Sequence, residues 1–300
     1  MTLRHFQIFV TVCDLMNMTA AAETLYMSQP AVSQAIAEME KHYKARLFDR
    51  LSRKLYLTEA GEKLLSYARH IIRMNSEIER SMQSLQTAGT LRIGASVTVG
   101  AHLLPELVSA YGQVYPAVRV EVTESNTRLI EEYLLADRLD LGIVEGETSS
   151  PELLSLPMQK DELIFVCSPA HRLAACESVD PVELEKETFI IREEGSGTRK
   201  TFESVMASHQ LSWHASWVCS NADTIRKAVS RNLGVAVLSR LSVADAVAEG
   251  TLCAPPLQNI RFERTFQVVY HRNKYVTPAM QQFIDACLKP ERREEVGSNA

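Results

Sequence analysis

Two groups of residues in this chain have types and spacing that could do chemistry. Glu193-Glu194-Gly195-Ser196-Gly197-Thr198-Arg199 sets two glycines, two hydroxyls and a guanidinium side by side. The glycines let backbone N–H groups turn inward, the hydroxyls donate, and a helix starting there adds its positive end, so the loop suits a small anion. A Gly-rich turn with helix caps reads equally well from the motif alone. Earlier in the chain, Ser96-Val97-Thr98-Val99-Gly100 offers two more hydroxyls. The second group is Gln29, Pro30, Ser33 and Gln34, followed by Lys41, Lys44, Arg46, Arg50, Arg53 and Lys54 against only Asp49. Amides and a hydroxyl on one helix face can hydrogen-bond base edges in a major groove about 12 Å wide. The basic run, with Arg50, Arg53 and Lys54 foremost, can grip phosphates or lay Arg53 into a minor groove.

Other chemistries find little support. The 193–199 loop lacks the Lys-Ser/Thr ending of a P-loop and the third glycine of a dinucleotide fingerprint. Ser96 is too far from Gly100 for a nucleophile elbow. None of the eight histidines has H-x-x-x-H spacing, and the six cysteines include no C-x-x-C. No catalytic residue, metal ligand or cofactor is therefore expected. His102 reads as a surface or capping residue, and Trp213 and Trp217 as buried strand residues. Cys167 and Cys176 could form a redox pair, although nothing nearby marks either thiol as activated.

The elements that must position these residues change character near residue 89. Over 1–88 there are 11 basic and 9 acidic residues, and over 89–300 there are 21 and 28, so the net charge of −5 conceals a mildly basic arm and an acidic body. At 300 residues, about two domains are expected. No run approaches the roughly 18 apolar residues of a membrane span, and the N-terminal residues do not read as a secretion signal. These features predict a cytoplasmic chain with no membrane partner.

The arm reads as helix. Leu3, Phe6, Ile8, Phe9 and Val12 form one apolar face. Thr19 is expected to cap a second helix over 20–25, and Ser28 a third with Pro30 in its first turn. Val32, Ile36 and Met39 point that third helix inward, leaving Ser33 and Gln34 outward. A small hairpin follows, and Thr58 opens a long helix to about Gln86 with more apolar surface than one helix can hide. It is expected to pair with another copy of itself. Beyond residue 89, strands alternate with helices: strands over 91–96, 118–123 and 139–144, and helices over 102–115 and 126–136. A second alternating set runs to a return strand over 266–271 and a final helix over 278–288. The pattern predicts two α/β lobes with chain crossovers.

The run Ala21-Ala22-Glu23-Thr24-Leu25, Ser28-Gln29-Pro30-Ala31-Val32-Ser33-Gln34, Leu47-Phe48-Asp49-Arg50 and Leu57-Thr58-Glu59-Ala60-Gly61 resembles the N-terminal domain of LysR-type transcriptional regulators. The resemblance implies an α/β protein overall: an all-α winged helix-turn-helix over 1–58, a linker helix over 59–88 that makes a dimer, and a two-lobed effector domain like periplasmic binding proteins over 89–290. Lobe I would span about 89–162 with 267–290, lobe II about 163–266, and a disordered tail 291–300. It further implies double-stranded promoter DNA as partner, self-association as a dimer of dimers, contact with RNA polymerase, and no enzymatic activity. Gln34 stands where many relatives carry Arg.

Ligands in open α/β sheets sit at the carboxyl ends of strands. That rule places Ser96, Thr98, Gly195, Ser196, Gly197, Thr198, Arg199 and Asn221 around an effector. The E-G-S-G-T-R loop resembles family members governing sulfur assimilation or carbon fixation, which implies a small oxyanion such as sulfite or sulfate. A larger carboxylate or phosphorylated sugar, or no ligand at all, are the alternatives. Arg199 either contacts the ligand or pairs with Glu193 or Glu194. Glu145, ending the third strand, would oppose an anion if it pointed inward.

Overall fold

The computed structural model describes residues 1–51, 54–83 and 89–288, with backbone alone at 50–51 and 80–83. The chain divides into two compact units, residues 1–89 with 135–137 and 273–276, and the remainder.

In the first unit, α1 (Leu3–Leu15), α2 (Met18–Thr24) and α3 (Gln29–Tyr43) enclose an apolar core. α1 supplies Phe9 and Val12, and α3 supplies Val32, Ile36 and Met39, all with at most 3% of their surface exposed. Phe9 meets Phe48 edge to face with ring centroids 5.6 Å apart. The predicted Thr19 cap is corrected to Asn17, whose side chain accepts from the Thr19 and Ala20 N–H groups. Asn17 has the extended backbone a cap needs, whereas Thr19 already lies inside the helix. Ser28 does cap α3, accepting from the Ala31 N–H, with Pro30 in the first turn. Strands β1 (Phe48–Leu51) and β2 (Lys54–Leu57) form an antiparallel hairpin. The long helix α4 (Glu59–Gln83) starts at Thr58, whose hydroxyl accepts from the Gly61 N–H at 3.0 Å.

The second unit is α/β. In order it contains β3 (Thr90–Ser96), α5 (Val97–His102), α6 (Leu104–Val114), β4 (Arg119–Ser125), α7 (Thr127–Leu135), β5 (Leu141–Glu145) and β6 (Leu153–Val166). Then come a 3₁₀ turn (Pro181–Lys186), β7 (Thr188–Arg192), α8 (Gly197–Ser208), β8 (His214–Cys219), α9 (Ala222–Ser230) and β9 (Ala236–Ser239). The last elements are α10 (Arg240–Ala248), β10 (Phe262–His271) and α11 (Pro278–Leu288). One sheet runs β4-β3-β5-β10-β6-β9, and β7 pairs in parallel with β8. The parallel strands β3, β4 and β5 build one lobe. The crossovers are β6 and β10, which pair antiparallel with each other from Phe262–Leu163 to His271–Leu153. They carry the sheet continuously from the first lobe to β9 in the second.

One expectation is corrected, and two helices had no predicted counterpart. The helix predicted over 102–115 forms as α6, but the short helix α5 before it was not predicted. The chain leaves helical geometry at Leu103, and Pro105, which lacks an N–H donor, sits in the first turn of α6. Trp217 is 43% exposed, because β8 ends the β7–β8 pair and presents an uncovered face; Trp213 alone packs on the lobe core. Helix α10 had no counterpart in the predicted elements.

Candidate binding cleft and nucleic-acid interface

The loops named from sequence do converge inside the second unit. β3 ends at Ser96, and Thr98 follows on α5; β7 ends at Arg192, and the 193–196 turn leads into α8 with Gly197 and Thr198. Ser96, Thr98, Ser196 and Thr198 are all buried. Gly197 abuts the end of β5: a Cβ there would lie 2.5 Å from the Glu145 Cβ, so no larger residue fits without moving the two lobes apart.

Between these loops lies a buried ionic network. Arg264 Nη1 binds Glu145 Oε2 at 2.6 Å, and its Nε binds Asp161 Oδ2 at 2.7 Å. The same guanidinium donates to Thr198 Oγ1 at 3.0 Å and Thr98 Oγ1 at 3.4 Å. Glu145 also accepts from the Thr98 N–H at 3.0 Å and the Thr198 hydroxyl at 3.1 Å. Asp161 accepts from the Ser239 hydroxyl at 2.8 Å, tying in β9. Burial alone would push the Glu145 carboxyl up, but Arg264, the Thr98 hydrogen bonds and Arg192 hold it at about 2. Two carboxylates share one guanidinium, so this trio carries one net negative charge. Glu145 points inward, and its opposition to an anion is met by a cation the sequence reading did not name.

Arg264 and Asp161 were missed, although a signal exists. In β10, Phe262, Arg264 and Phe266 share one buried parity, and in β6 Asp161 shares it with Leu163 and Phe165. A charge on the apolar side of a strand needs a buried partner, and these two face each other in register. The Ser96 and Ser196 hydroxyl oxygens are buried and make no hydrogen bond with the described residues.

Beside the network opens a cavity of about 210 Å³, lined by Thr127, Arg128 and Glu131 from α7, by Ser149, and by Glu194, Gly195, Ser196, Gly197, Arg199, Lys200 and Glu203 from the facing lobe. Its walls meet where the Arg128 N–H donates to the Gly195 carbonyl at 3.1 Å. Burial pushes the Glu131 carboxyl up, against the opposing pull of the Ser149 N–H and Lys200. Arg199 lines this cavity while pairing with Glu203 at 2.7 Å, not with Glu193 or Glu194; Glu193 instead pairs with Arg192. Asn221 stands apart from the cavity: it is exposed, and its side chain caps α9 by accepting from the Thr224 N–H.

In the first unit, Gln29, Pro30 and Gln34 are exposed along α3, and Ser33 is half-buried beside them. The Gln29 amide donates to Ser33 Oγ at 2.8 Å, and the Gln34 amide to Glu38 at 3.0 Å. Each contact spends an amide N–H and leaves the amide carbonyl as an acceptor for a base-edge donor. Lys54 is exposed on β2; the Arg50 side chain and all of Arg53 lie outside the described residues.

Among the described residues no group of three or more His, Cys, Asp or Glu is arranged to hold a metal ion, and no helix is long and apolar enough to cross a membrane. No disulfide joins the cysteines there, and burial first, with Cys253 next, pushes the Cys167 thiol up to about 12, so Cys167 is no activated thiol.

Residues 3–62 match the bacterial regulatory helix-turn-helix protein family of lysR type, and residues 84–290 match the LysR substrate binding domain. The chain belongs to the LysR family. Among LysR-family relatives it is 32% identical to the uncharacterised HTH-type transcriptional regulator YeiE of Escherichia coli K12, over 95% of this chain and 97% of that protein. It is also 32% identical to a probable RuBisCO transcriptional regulator of Synechocystis, over 96% of this chain and 86% of that one. The regulatory domain of Synechocystis PCC6803 CcmR, solved in complex with 2-PG, has the same fold. It is 24% identical with a TM-score of 0.62, over 67% of this chain and 96% of that one. This LysR-family chain is thus a DNA-binding transcriptional regulator with an effector-binding domain, and not an enzyme.

Proposed function

We propose that this regulator's promoter binding is set by a small oxyanion, sulfite or sulfate, held between the two lobes. The observation that carries the reading is the buried set of donors in the cleft. Arg264, the Thr98 N–H and the Thr198 hydroxyl already hold a carboxylate there, beside the unpartnered hydroxyls of Ser96 and Ser196. Gly195, Gly197 and Arg199 line the adjoining cavity. Asn221 caps α9 through its Oδ1, so its amide N–H groups are what it would offer an anion. A larger phosphorylated anion is the second reading. The RuBisCO-regulator relatives and the 2-PG bound by CcmR favour it, and the cavity beside the network offers Arg128, Arg199 and Lys200 on walls that also carry Glu131, Glu194 and Glu203.

On the DNA side, residues 1–58 serve as the reading domain. Gln29, Pro30, Ser33 and Gln34 face base edges, while Arg50, Arg53 and Lys54 hold the backbone at the wing. The linker over 59–88 pairs two subunits, so that both recognition helices reach successive grooves about 34 Å apart. The exposed Ile71, Met74 and Ile78 on α4 support that pairing. Effector domains over 89–290 then join dimers into a tetramer acting in the cytoplasm, with RNA polymerase as a further partner. Calorimetry on the whole chain with sulfite, sulfate and 2-PG tests the ligand. Binding of either sulfur oxyanion that Thr198→Ala abolishes supports the first reading; binding of 2-PG alone supports the second, and binding of none overturns both. For DNA, Ser33→Ala with Gln34→Ala is expected to lose at least 10-fold in affinity for the chain's own promoter, and unchanged affinity would remove α3 as the reading element.

A further inference from the structure

The donors that should receive an anion are occupied by one of the protein's own. Glu145 takes both the Thr98 N–H and the Thr198 hydroxyl, and a bond of 2.6 Å from Arg264, so its carboxylate has the contacts a bound oxyanion would have. Arg264 stays charge-balanced without it, because Asp161 holds its Nε at 2.7 Å on the facing strand. Glu145 is the last residue of β5, and the chain beyond it, Gly146 to Glu152, is a loop before β6. Rotating its side chain leaves the β5–β10 backbone ladder intact, in which Glu145 pairs with Phe266. The 210 Å³ cavity, with buried Ser196 on its wall, lies next to Gly197, which packs on Glu145.

We propose that Glu145 is a resident stand-in for the effector, and that the effector anion acts by displacing this carboxylate from Arg264, which is the residue that recognises it. The inference rests on the reading that the cleft binds an anion. Displacement also has a structural consequence. The Glu145–Thr198 bond joins the first lobe to the second, so exchanging it for contacts with a mobile ligand changes how firmly the lobes hold each other.

A built-in competitor lowers apparent affinity in proportion to the time it occupies the site. Calorimetry on the full chain with sulfite, and separately with 2-PG, should therefore find that Glu145→Gln binds at least ~10-fold tighter than the parent. Gln keeps an acceptor for Thr98 and Arg264 keeps Asp161, so the fold is retained; Glu145→Ala is a second variant without the carboxylate. Asp161→Asn removes an equal charge from the same guanidinium without vacating the cradle, and it should tighten binding less than Glu145→Gln does. Arg264→Lys should weaken binding in either background. If the parent binds an anion and both Glu145 variants bind it equally or more weakly, Glu145 belongs to the receptor and displacement is wrong. If Asp161→Asn tightens binding as much as Glu145→Gln, only net charge matters and displacement is again wrong. If no anion binds the parent or any variant, the anion reading of the cleft fails, and the inference with it.

Discussion

At the scale of single residues, the cleft is governed by how one guanidinium is shared. Arg264 and both its carboxylates are at most 2% exposed at their side chains, so none can fall back on water. Arg264→Leu would strand two buried charges and is expected to cost about 3–5 kcal/mol, read as a drop in melting temperature. The pH response is specific to Glu145. Its carboxyl titrates at about 2 in the folded chain and near 4.5 when unfolded, so on acidification the unfolded chain takes up the proton first. The stabilisation is whole above about pH 5 and is lost as pH falls toward 2, with a full extent on the order of 3 kcal/mol. The melting gap between the parent and Glu145→Gln should therefore be steady from pH 7 to 5 and narrow below pH 4.5. A gap that widened with acid would show that the ionised form is not the one favoured by Arg264. Thr98, Thr198 and Gly197 were legible from the sequence, because glycines and hydroxyls at strand ends advertise a cradle. Arg264 and Asp161 were not. Their meaning depends on which side of β6 and β10 is covered, and that is decided by pairing between distant segments.

At the scale of elements, short-range chemistry predicted most of what formed. Ser28, Pro30 and Thr58 mark the starts of α3 and α4 by capping rules alone. α10 escaped because Arg240-Leu-Ser-Val-Ala-Asp-Ala-Val-Ala has no single apolar stripe; it is held by the Ser239 cap and by packing of Val243 and Ala246 against the lobe core. Glu40 escaped for a related reason: a carboxylate on a helix does not announce a distant partner. It accepts from the Leu47 and Phe48 N–H groups at 2.8 and 3.3 Å, fixing the wing to the recognition helix. Glu40→Ala should cost about 1–3 kcal/mol of stability in the first unit and loosen the wing, measured by denaturation and by amide exchange at Leu47 and Phe48. Gly61 has a matching constraint. A Cβ there would fall on the Leu47 carbonyl oxygen and the Leu57 side chain, so Gly61→Ala should destabilise the same junction. An unchanged melting curve for either variant would show that the wing is held by other contacts.

At the scale of the whole molecule, the distribution of charge and apolar surface matters more than their totals. The basic run over 41–54 belongs to the arm and the acidic excess to the body, so promoter affinity should fall steeply with salt. Self-association is expected along α4, where Ile71, Met74 and Ile78 remain 38–56% exposed. Ile78→Asp should shift sedimentation toward monomer at micromolar concentration, and an unchanged sedimentation profile would move the dimer contact elsewhere. An anion in the cleft should change DNA binding, and fluorescence anisotropy with the chain's own promoter tests this directly. Binding isotherms are taken with and without saturating sulfite, sulfate or 2-PG, for the parent and for Thr198→Ala. The expected result is a several-fold change in apparent Kd for the parent with at least one anion, abolished in Thr198→Ala. Superimposable isotherms for the parent under every anion would contradict it.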